Sequence, residues 1–220
     1  MRIAFLHTAG VHVATFEQIF DGLSGDVQLD HRVDATLLER ARHDGVASVR
    51  ADVEALLNEL STADAVLCTC STLGPLADEA AKSARNIVRI DRPLMEQACA
   101  DGDTVLVALC LESTRAATLN LLDDCAKNAG QKVNPIVVLC SDAWAFFEAG
   151  DMEAYAASIA ESIKAEIEKT PEVKSIVLAQ ASMRVAETKL MDIGIPVRSS
   201  PVIAAKRCLE LVQTSEGKMA

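Results

Sequence analysis

The stretch that decides the fold is Asp64-Ala65-Val66-Leu67-Cys68-Thr69-Cys70-Ser71-Thr72-Leu73-Gly74-Pro75. Its apolar residues form a short run with the length of a buried strand. Ser71 and Thr72 are favourable N-terminal helix caps, and Pro75 suits the first turn of a helix. The stretch therefore predicts a strand that ends near Cys70 and turns directly into a helix.

Cys70 is expected at the start of that helix, where backbone N–H groups point outward. Such a position binds carboxylates or phosphates, and it favours the thiolate form of a cysteine. One interpretation of Cys70 is therefore a nucleophile or a proton-transferring base. The other is a buried and inert thiol, because unpaired cysteines often fill small positions in a core.

Strand-like and helix-like segments alternate along the whole chain. The helix-like segments carry apolar residues at a spacing of three and four. Strict alternation favours an α/β fold with parallel sheets and right-handed crossovers. The strand-like segments are residues 2–7, 27–33, 65–68, 86–90, 104–109, 133–139, 175–179 and 195–198.

The second half of the chain repeats the order of features in the first, with Cys70-Ser71-Thr72 corresponding to Gln180-Ala181-Ser182. This order predicts a duplicated half: two pseudo-symmetric lobes, each a parallel sheet flanked by helices. The predicted lobes are residues 1–98 plus 204–220, and residues 99–203. Ligands of such sheets lie beyond the carboxyl ends of the strands. We therefore expect the site in the cleft between the lobes, with the two corresponding loops opposite each other.

Composition and charge narrow the functional classes. Half of the 220 residues are hydrophobic but only 3% are aromatic, which indicates an aliphatic core. The net charge of −11 argues against nucleic acid and against anionic membrane surfaces as partners. No apolar run is long enough for a membrane span. Seven cysteines at irregular spacing predict a reducing, cytoplasmic location rather than a disulfide framework.

Metal and nucleotide sites are not expected. Cys68 and Cys70 would face the same side of an extended strand, so a metal or redox role was considered for the pair. Zinc needs about four ligands, however, and no second cluster lies at a suitable spacing. Gly10 stands alone after the first strand, so the chain has no glycine loop of the kind that cradles phosphates.

The motif residues, the matching strand end near Gln180 and the duplicated order together resemble the aspartate/glutamate racemase superfamily over nearly the whole chain. The likeness is closest to unassigned members with a motif like Thr69-Cys70-Ser71-Thr72-Leu73-Gly74 followed by Arg89-Ile90-Asp91-Arg92-Pro93. The resemblance implies an enzyme of small carboxylates or amino-acid-like substrates, without metal, pyridoxal or nucleotide cofactor. Dimers are common among such proteins, so a homodimer is one candidate assembly.

The resemblance also implies roles for individual residues. In the racemases two cysteines face the substrate carbon from opposite sides, and the first maps onto Cys70. The second would lie in Gln180-Ala181-Ser182, at Ala181, which can neither take nor give a proton. Donors to the substrate carboxylate and to an enolate-like oxygen would come from hydroxyl and amide side chains: Thr8, Ser71, Thr72, Ser113, Thr114, Gln180 and Ser182.

Three further residues lie near predicted strand ends. His7 closes the first strand and is a candidate for proton transfer or substrate orientation, with a hydrogen-bonded structural histidine as the alternative. Asp91 is a candidate cleft residue or a helix cap, and Cys110 can border the cleft. His31 and His43 are expected to be peripheral.

Two functional classes remain open at this point. The first is a cofactor-independent enzyme that racemises, isomerises or decarboxylates at the carbon next to a carboxylate, with Cys70 as the proton-transferring or nucleophilic thiol. The second is a non-catalytic protein that binds small carboxylic acids on the same fold.

Overall fold

The computed structural model describes residues 1–23 and 27–216, and it divides the chain into two compact units. The first unit comprises residues 1–93 and the segment that begins at Pro201, and the second comprises residues 94–200. The predicted lobe segment 204–220 extends to residues 217–220, which lie outside the described residues.

The first unit is built on a sheet of four parallel strands in the order β2-β1-β3-β4. β1 and β3 are central and fully covered, and β2 is the more exposed edge. Parallel strands joined by helices place every carboxyl end at one edge. The strands are β1 (Arg2–His7), β2 (Gln28–Val33), β3 (Ala65–Cys68) and β4 (Ile87–Arg89).

Helices cover both faces of this sheet. Asp34 caps one of them by accepting a hydrogen bond from the Thr36 backbone N–H at 3.0 Å. 3₁₀ helices at Val46–Val49 and Ser71–Leu73 precede two of the helices. The helices are α1 (Val11–Leu23), α2 (Ala35–Asp44), α3 (Arg50–Leu60), α4 (Gly74–Ala81), α5 (Arg92–Asp101), which crosses into the second unit, and the final helix described below.

The second unit repeats this arrangement with a parallel sheet in the order β6-β5-β7-β8. Three segments are 3₁₀ helices: Glu112–Thr114, Ala181–Lys189 and Met191–Ile193. The regular elements are β5 (Thr104–Leu109), α6 (Arg115–Asn128), β6 (Asn134–Leu139), α7 (Ala143–Glu148), α8 (Met152–Ile167), β7 (Ser175–Leu178), β8 (Val197–Ser199) and α9 (Ser200–Glu216), which returns to the first unit.

The helical segment after Gln180 differs in kind from the one after Cys70. It is the 3₁₀ helix Ala181–Lys189, whereas the turn at Ser71–Leu73 continues into the α-helix α4. The tighter i to i+3 bonding suits a connecting segment, and the β-branched Val185 and Thr188 have lowered α-helix propensity. The segment still begins directly after Gln180, as the sequence predicts.

The fold class predicted from the sequence is confirmed: two four-stranded parallel sheets are each flanked by helices. The cores are aliphatic, as the composition indicates. In the first unit, one apolar cluster includes Leu37, Val53 and Leu57, and another includes Phe5, Phe16 and Ala205. In the second unit, Tyr155, Ile159 and Ile163 of α8 pack in the main cluster.

Candidate active site

The carboxyl edge of the first sheet gathers the residues predicted there. His7 ends β1 and is followed by Thr8, and Cys70 lies two residues beyond β3. Thr8 is buried, whereas Ser71 is exposed and Thr72 is half-buried. Cys70 and the residues after it open a helical turn, since the Leu73 backbone N–H donates to the Cys70 carbonyl at 3.1 Å. The first N–H groups of such a turn have no intrahelical partner.

Cys70 differs from the other cysteines in its access to solvent. Its exposed fraction is 7%, against 3% or less for the other six. Its side chain belongs to the apolar cluster on the α2–α4 face of the sheet. Burial is the main cause that raises the pKa of five other thiols. The pKa rises to about 12 for Cys68, Cys140 and Cys208. It is also raised for Cys99 and Cys110. Those five remain thiols at neutral pH.

A network of ion pairs around the buried Arg89 joins the end of β4 to α4, the helix that follows the Cys70 turn. The Arg89 guanidinium donates to both carboxylate oxygens of Asp91, at 2.6 and 2.8 Å, and to Asp78 of α4 at 2.7 Å. Arg92 also donates to Asp78. Burial of Asp78 opposes its ionisation, but the hydrogen bonds from the two arginines hold its pKa below the ordinary value. Both Asp91 oxygens are thus engaged by Arg89 within the unit.

Gly74 is required beside this network. A Cβ at position 74 would lie 2.6 Å from the Arg89 guanidinium, closer than real contacts allow. Packing therefore explains the glycine of the motif. The start of α4 lies close to Arg89, the arginine that binds Asp91, and leaves no room for a side chain at position 74.

His7 is fully buried and has both ring nitrogens engaged. Its Nδ1 lies 2.8 Å from the Thr69 hydroxyl, and its Nε2 lies 2.8 Å from Nδ1 of His31. Burial, with smaller effects of His31 and His12, lowers the pKa of His7 to about 3, so the ring is neutral at ordinary pH. The expectation that His31 is peripheral was wrong, because its side chain is 11% exposed and contacts His7. Strand alternation offered a signal, since it places His31 on the same face as Leu29.

The second sheet gathers another set of predicted residues at its own carboxyl edge. The Cys110 backbone N–H donates to Oε1 of Gln180 at 2.7 Å. The Tyr155 hydroxyl lies 2.9 Å from the Ser182 hydroxyl and 3.4 Å from the Cys110 sulfur. Tyr155 is fully buried, and burial raises its pKa. Ser113 is exposed, and Thr114 donates its hydroxyl to the Leu111 carbonyl at 2.8 Å, so neither joins this cluster.

Sequence reasoning missed Tyr155 as a member of this edge. The chain has one tyrosine, and it lies four residues before Ile159 on the apolar stripe of α8. That position predicts burial, and a buried tyrosine hydroxyl usually has a hydrogen-bond partner. The partners, Ser182 and Cys110, could not be read from the spacing.

Strand register identifies the residue equivalent to Cys70. Leu6 pairs with Cys68 in the first sheet, and Ala108 pairs with Leu178 in the second. The turns also match, since Met183 N–H donates to the Gln180 carbonyl as Leu73 N–H does to Cys70. The counterpart of Cys70 by this register is Gln180, as in the sequence repeat, rather than Ala181. Neither residue is a thiol.

Within residues 1–23 and 27–216, no group of three or more histidine, cysteine, aspartate or glutamate side chains is arranged to hold a metal ion. None of the helices in those ranges combines the length and apolar character of a membrane span.

No family model and no curated protein sequence matches the chain. Solved structures do match it. Aspartate racemase from Picrophilus torridus has a TM-score of 0.64 at 14% identity, over 96% of this chain and 94% of that one. Allantoin racemase from Klebsiella pneumoniae has a TM-score of 0.69 at 14% identity, over 98% and 89%.

Unliganded arylmalonate decarboxylase is also similar, with a TM-score of 0.58 at 14% identity over 96% of this chain and 92% of that one. The similarity extends over nearly the full length of each protein, so it covers both units of this chain. The resemblance predicted from the sequence is confirmed at the level of the fold, which this chain shares with aspartate racemase, allantoin racemase and arylmalonate decarboxylase.

Proposed function

We propose that this protein is a cofactor-independent enzyme that acts at the carbon next to a carboxylate of a small acid, as a racemase, isomerase or decarboxylase. Cys70 is the proposed proton-transferring or nucleophilic thiol. The observation that carries the proposal is the position of Cys70: the most exposed of the seven cysteines lies at a strand carboxyl edge. The fold is one that racemases and a decarboxylase share.

The chemistry explains why such an edge suits the reaction. A proton on the carbon beside a carboxylate is very weakly acidic, so its removal needs a positioned base. Negative charge then develops on the carboxylate oxygens, and donors that are already oriented stabilise it. Ser71 and Thr72 are close to Cys70 in the chain and retain access to solvent. We assign their hydroxyls and the backbone N–H groups of this turn to the substrate carboxylate.

Gln180 and Ser182 are proposed as donors from the second unit. The Cys110 N–H occupies Oε1 of Gln180, which fixes the amide and leaves its NH₂ group to donate. Thr8, Ser113 and Thr114 remain proposed binding residues. Asp91 is proposed less strongly as a substrate-binding residue, because Arg89 already engages both of its carboxylate oxygens.

The residue at the second thiol position favours one-thiol chemistry. A single thiolate that removes a proton becomes a thiol. If the thiol proton is replaced from solvent before a proton returns to the same face, the hydrogen on the carbon is exchanged without inversion. In a decarboxylation, the C–C bond breaks, CO₂ leaves, and the thiol protonates the carbanion. The presence of Gln180 at the second thiol position also favours a second candidate function, a non-catalytic protein that binds carboxylates. Gln180 can bind an acid but is not a base.

Solvent deuterium exchange tests the proposal. Wild-type protein, Cys70→Ala and the control Cys208→Ala are incubated in D₂O with L- and D-amino acids, small dicarboxylates and arylmalonates. We expect deuterium at the carbon beside the carboxylate, or release of CO₂, with wild type and Cys208→Ala. Loss of the thiol base is expected to lower that rate by about 10²–10⁴-fold in Cys70→Ala. Cys208 is a fully buried thiol in α9, so its removal controls for thiol loss alone.

Three outcomes separate the candidates. Exchange that depends on Cys70 and proceeds faster than loss of optical activity supports the one-thiol enzyme. Saturable acid binding without turnover in any variant favours the binding protein. Exchange that persists in Cys70→Ala, or the absence of both binding and turnover across the panel, contradicts the proposal.

A further inference from the structure

A chain of polar side chains crosses the first unit from the carboxyl edge of its sheet to the surface. It runs from Thr69, which follows β3, through His7 of β1 and His31 of β2 to Glu17 of α1. The successive contacts are 2.8 Å, 2.8 Å and 3.2 Å. Thr69 and His7 are buried, whereas the Glu17 carboxylate is half exposed. This chain, called here the Thr69–Glu17 relay, has no part in the proposed role of Cys70.

Aromatic packing fixes the two rings of the relay. His7 and His31 stack with ring centroids 5.1 Å apart, and Phe5 stacks on His31 at 4.6 Å and on His7 at 5.4 Å. Rings held in this way cannot turn to find other partners, so each nitrogen keeps its neighbour. Only the positions of the protons can change.

The proton positions are coupled along the relay. A neutral imidazole has one N–H donor and one bare nitrogen that accepts. Between His7 Nε2 and His31 Nδ1, one nitrogen must donate and the other accept, so the tautomer of one ring dictates that of the other. Thr69 has one hydroxyl proton, which it gives either to His7 or to the Leu6 carbonyl at 3.2 Å. The Leu6 carbonyl also accepts the Thr69 N–H, so it has a partner either way.

The Glu17 carboxylate favours one of the two proton arrangements of the His7–His31 pair over the other. Among the described residues, Nε2 of His31 is buried without a hydrogen-bond partner, and the group that faces it is the Glu17 carboxylate at 3.2 Å. A bare nitrogen would oppose its lone pair to the carboxylate, whereas an N–H attracts it. The carboxylate therefore favours a proton on Nε2 of His31.

We propose that Glu17 sets the tautomer of His7 through His31, and thereby the direction of the hydrogen bond at Thr69. In the neutral relay, His31 carries its proton on Nε2 and accepts from His7 Nε2–H. His7 Nδ1 is then bare and accepts the Thr69 hydroxyl proton. The two hydrogen bonds of His7 then each have one donor and one acceptor, and the Thr69 hydroxyl points at a base rather than at the backbone.

The titratable groups that contact the His7–His31 pair are Glu17 on the His31 side and His12 on the His7 side, where the His7 and His12 ring centroids are 6.2 Å apart.

The second unit supplies an internal contrast. By strand register, Leu109, Val137 and Ala179 occupy the positions of His7, His31 and Thr69. The same fold therefore closes its edge with apolar side chains there, and packing alone does not require the relay. The tautomer assignment does not depend on the proposed function. Only a role of the relay in holding a substrate proton beside the Cys70 turn would rest on that function.

Nitrogen-15 NMR of the histidine rings tests the assignment without any activity measurement. The chain has four histidines, so ring spectra of protein with labelled histidine are simple, and His12→Gln and His43→Gln assign the other two. At mildly alkaline pH, we expect wild-type His7 with a bare Nδ1 and a protonated Nε2.

Glu17→Lys provides the decisive variant. A lysine ammonium donates to Nε2 of His31, so the relay reverses and His7 carries its proton on Nδ1 even at alkaline pH. Asp21→Lys adds the same charge to α1 one turn away and is expected to leave the His7 tautomer unchanged. A wild-type His7 with Nδ1–H beside a neutral His31, or an unchanged His7 in Glu17→Lys, overturns the proposal.

Discussion

The two units share one strand order but close their carboxyl edges with different chemistry. The first unit has a thiol at Cys70 and a polar relay beneath it, whereas the second has Gln180 at the equivalent position and a Tyr155–Ser182–Cys110 cluster. The comparison teaches that the sheet topology fixes where an edge residue lies and leaves its chemistry free. A duplicated half can therefore keep its backbone while its two edges diverge.

Replacement of Arg89 is expected to have the largest effect on this comparison. Arg89→Met removes the guanidinium that engages both oxygens of Asp91, whereas Asp78 keeps its bonds from Arg92. Loss of one member of a buried ion pair costs about 3–5 kcal/mol. Ser199 occupies the equivalent position in the second unit by register, and its buried hydroxyl has no partner among the described residues. A buried hydroxyl without a partner costs free energy on folding, so Ser199→Ala should leave the free energy of unfolding unchanged or raise it.

Urea denaturation measures both variants. A loss in Arg89→Met no larger than that in Ser199→Ala would mean that the ion pairs do not hold the first edge together. The two sheets would then be closed by equivalent packing rather than by different interactions.

Acid should weaken the first unit through His7. The pKa of His7 is lowered from 6.5 to about 3 in the folded protein, chiefly by burial. As the pH falls below 6.5, the unfolded chain binds the proton before the folded one, so stability falls down to about pH 3. Allowing for partial solvent screening, we expect a loss of about 2 kcal/mol between pH 6.5 and 4.

The control for this titration is a variant that carries, at position 7, the residue found at the equivalent position of the second unit. His7→Leu introduces the apolar side chain of Leu109 and removes the titrating ring. Its stability should depend less on pH across the same window in urea denaturation series. Parallel curves for wild type and His7→Leu would show that other groups cause the acid sensitivity.

Gly74→Ala should have an intermediate effect. The added Cβ would lie 2.6 Å from a guanidinium that hydrogen bonds hold in place, so the start of α4 must shift. Overpacking typically costs about 1–3 kcal/mol, and the better helix propensity of alanine offsets up to about 1 kcal/mol. Gly22→Ala in α1 meets no atom within 4 Å and should be neutral or stabilising in thermal denaturation. Equal melting temperatures for the two variants would contradict the close approach.

Tyr155→Phe should have the smallest effect, and it concerns the edge of the second unit. The ring packing is kept, while the hydroxyl contacts to Ser182 and Cys110 are lost, at a net cost of about 1 kcal/mol. Tyr155→Ala would add the loss of a buried ring, about 3–5 kcal/mol. Thermal denaturation should therefore separate the two variants widely. A Phe variant as unstable as the Ala variant would mean that the hydroxyl cluster, rather than the ring, supports this edge.

Much of the fold could be predicted from the sequence, because α/β structure has strong local signals. The buried strand before Cys70, its turn into a helix and the repeat of that order at Gln180 are patterns of neighbouring residues. Parallel sheets place strand ends at one edge, so Cys70, His7 and Thr8 could be placed there without coordinates. The ion pairs of Arg89 could not, since they depend on side-chain directions across three elements.

Periodicity and turn chemistry are enough to predict the fold class, the duplicated order and the positions of Cys70 and Gln180 at strand ends. Which groups face each other, such as His7 with His31 and Thr69 or Tyr155 with Ser182, depends on how distant segments pack. Hydrophobic periodicity is written in residues a few positions apart, whereas hydrogen bonds between strands join residues 24 and 62 positions apart.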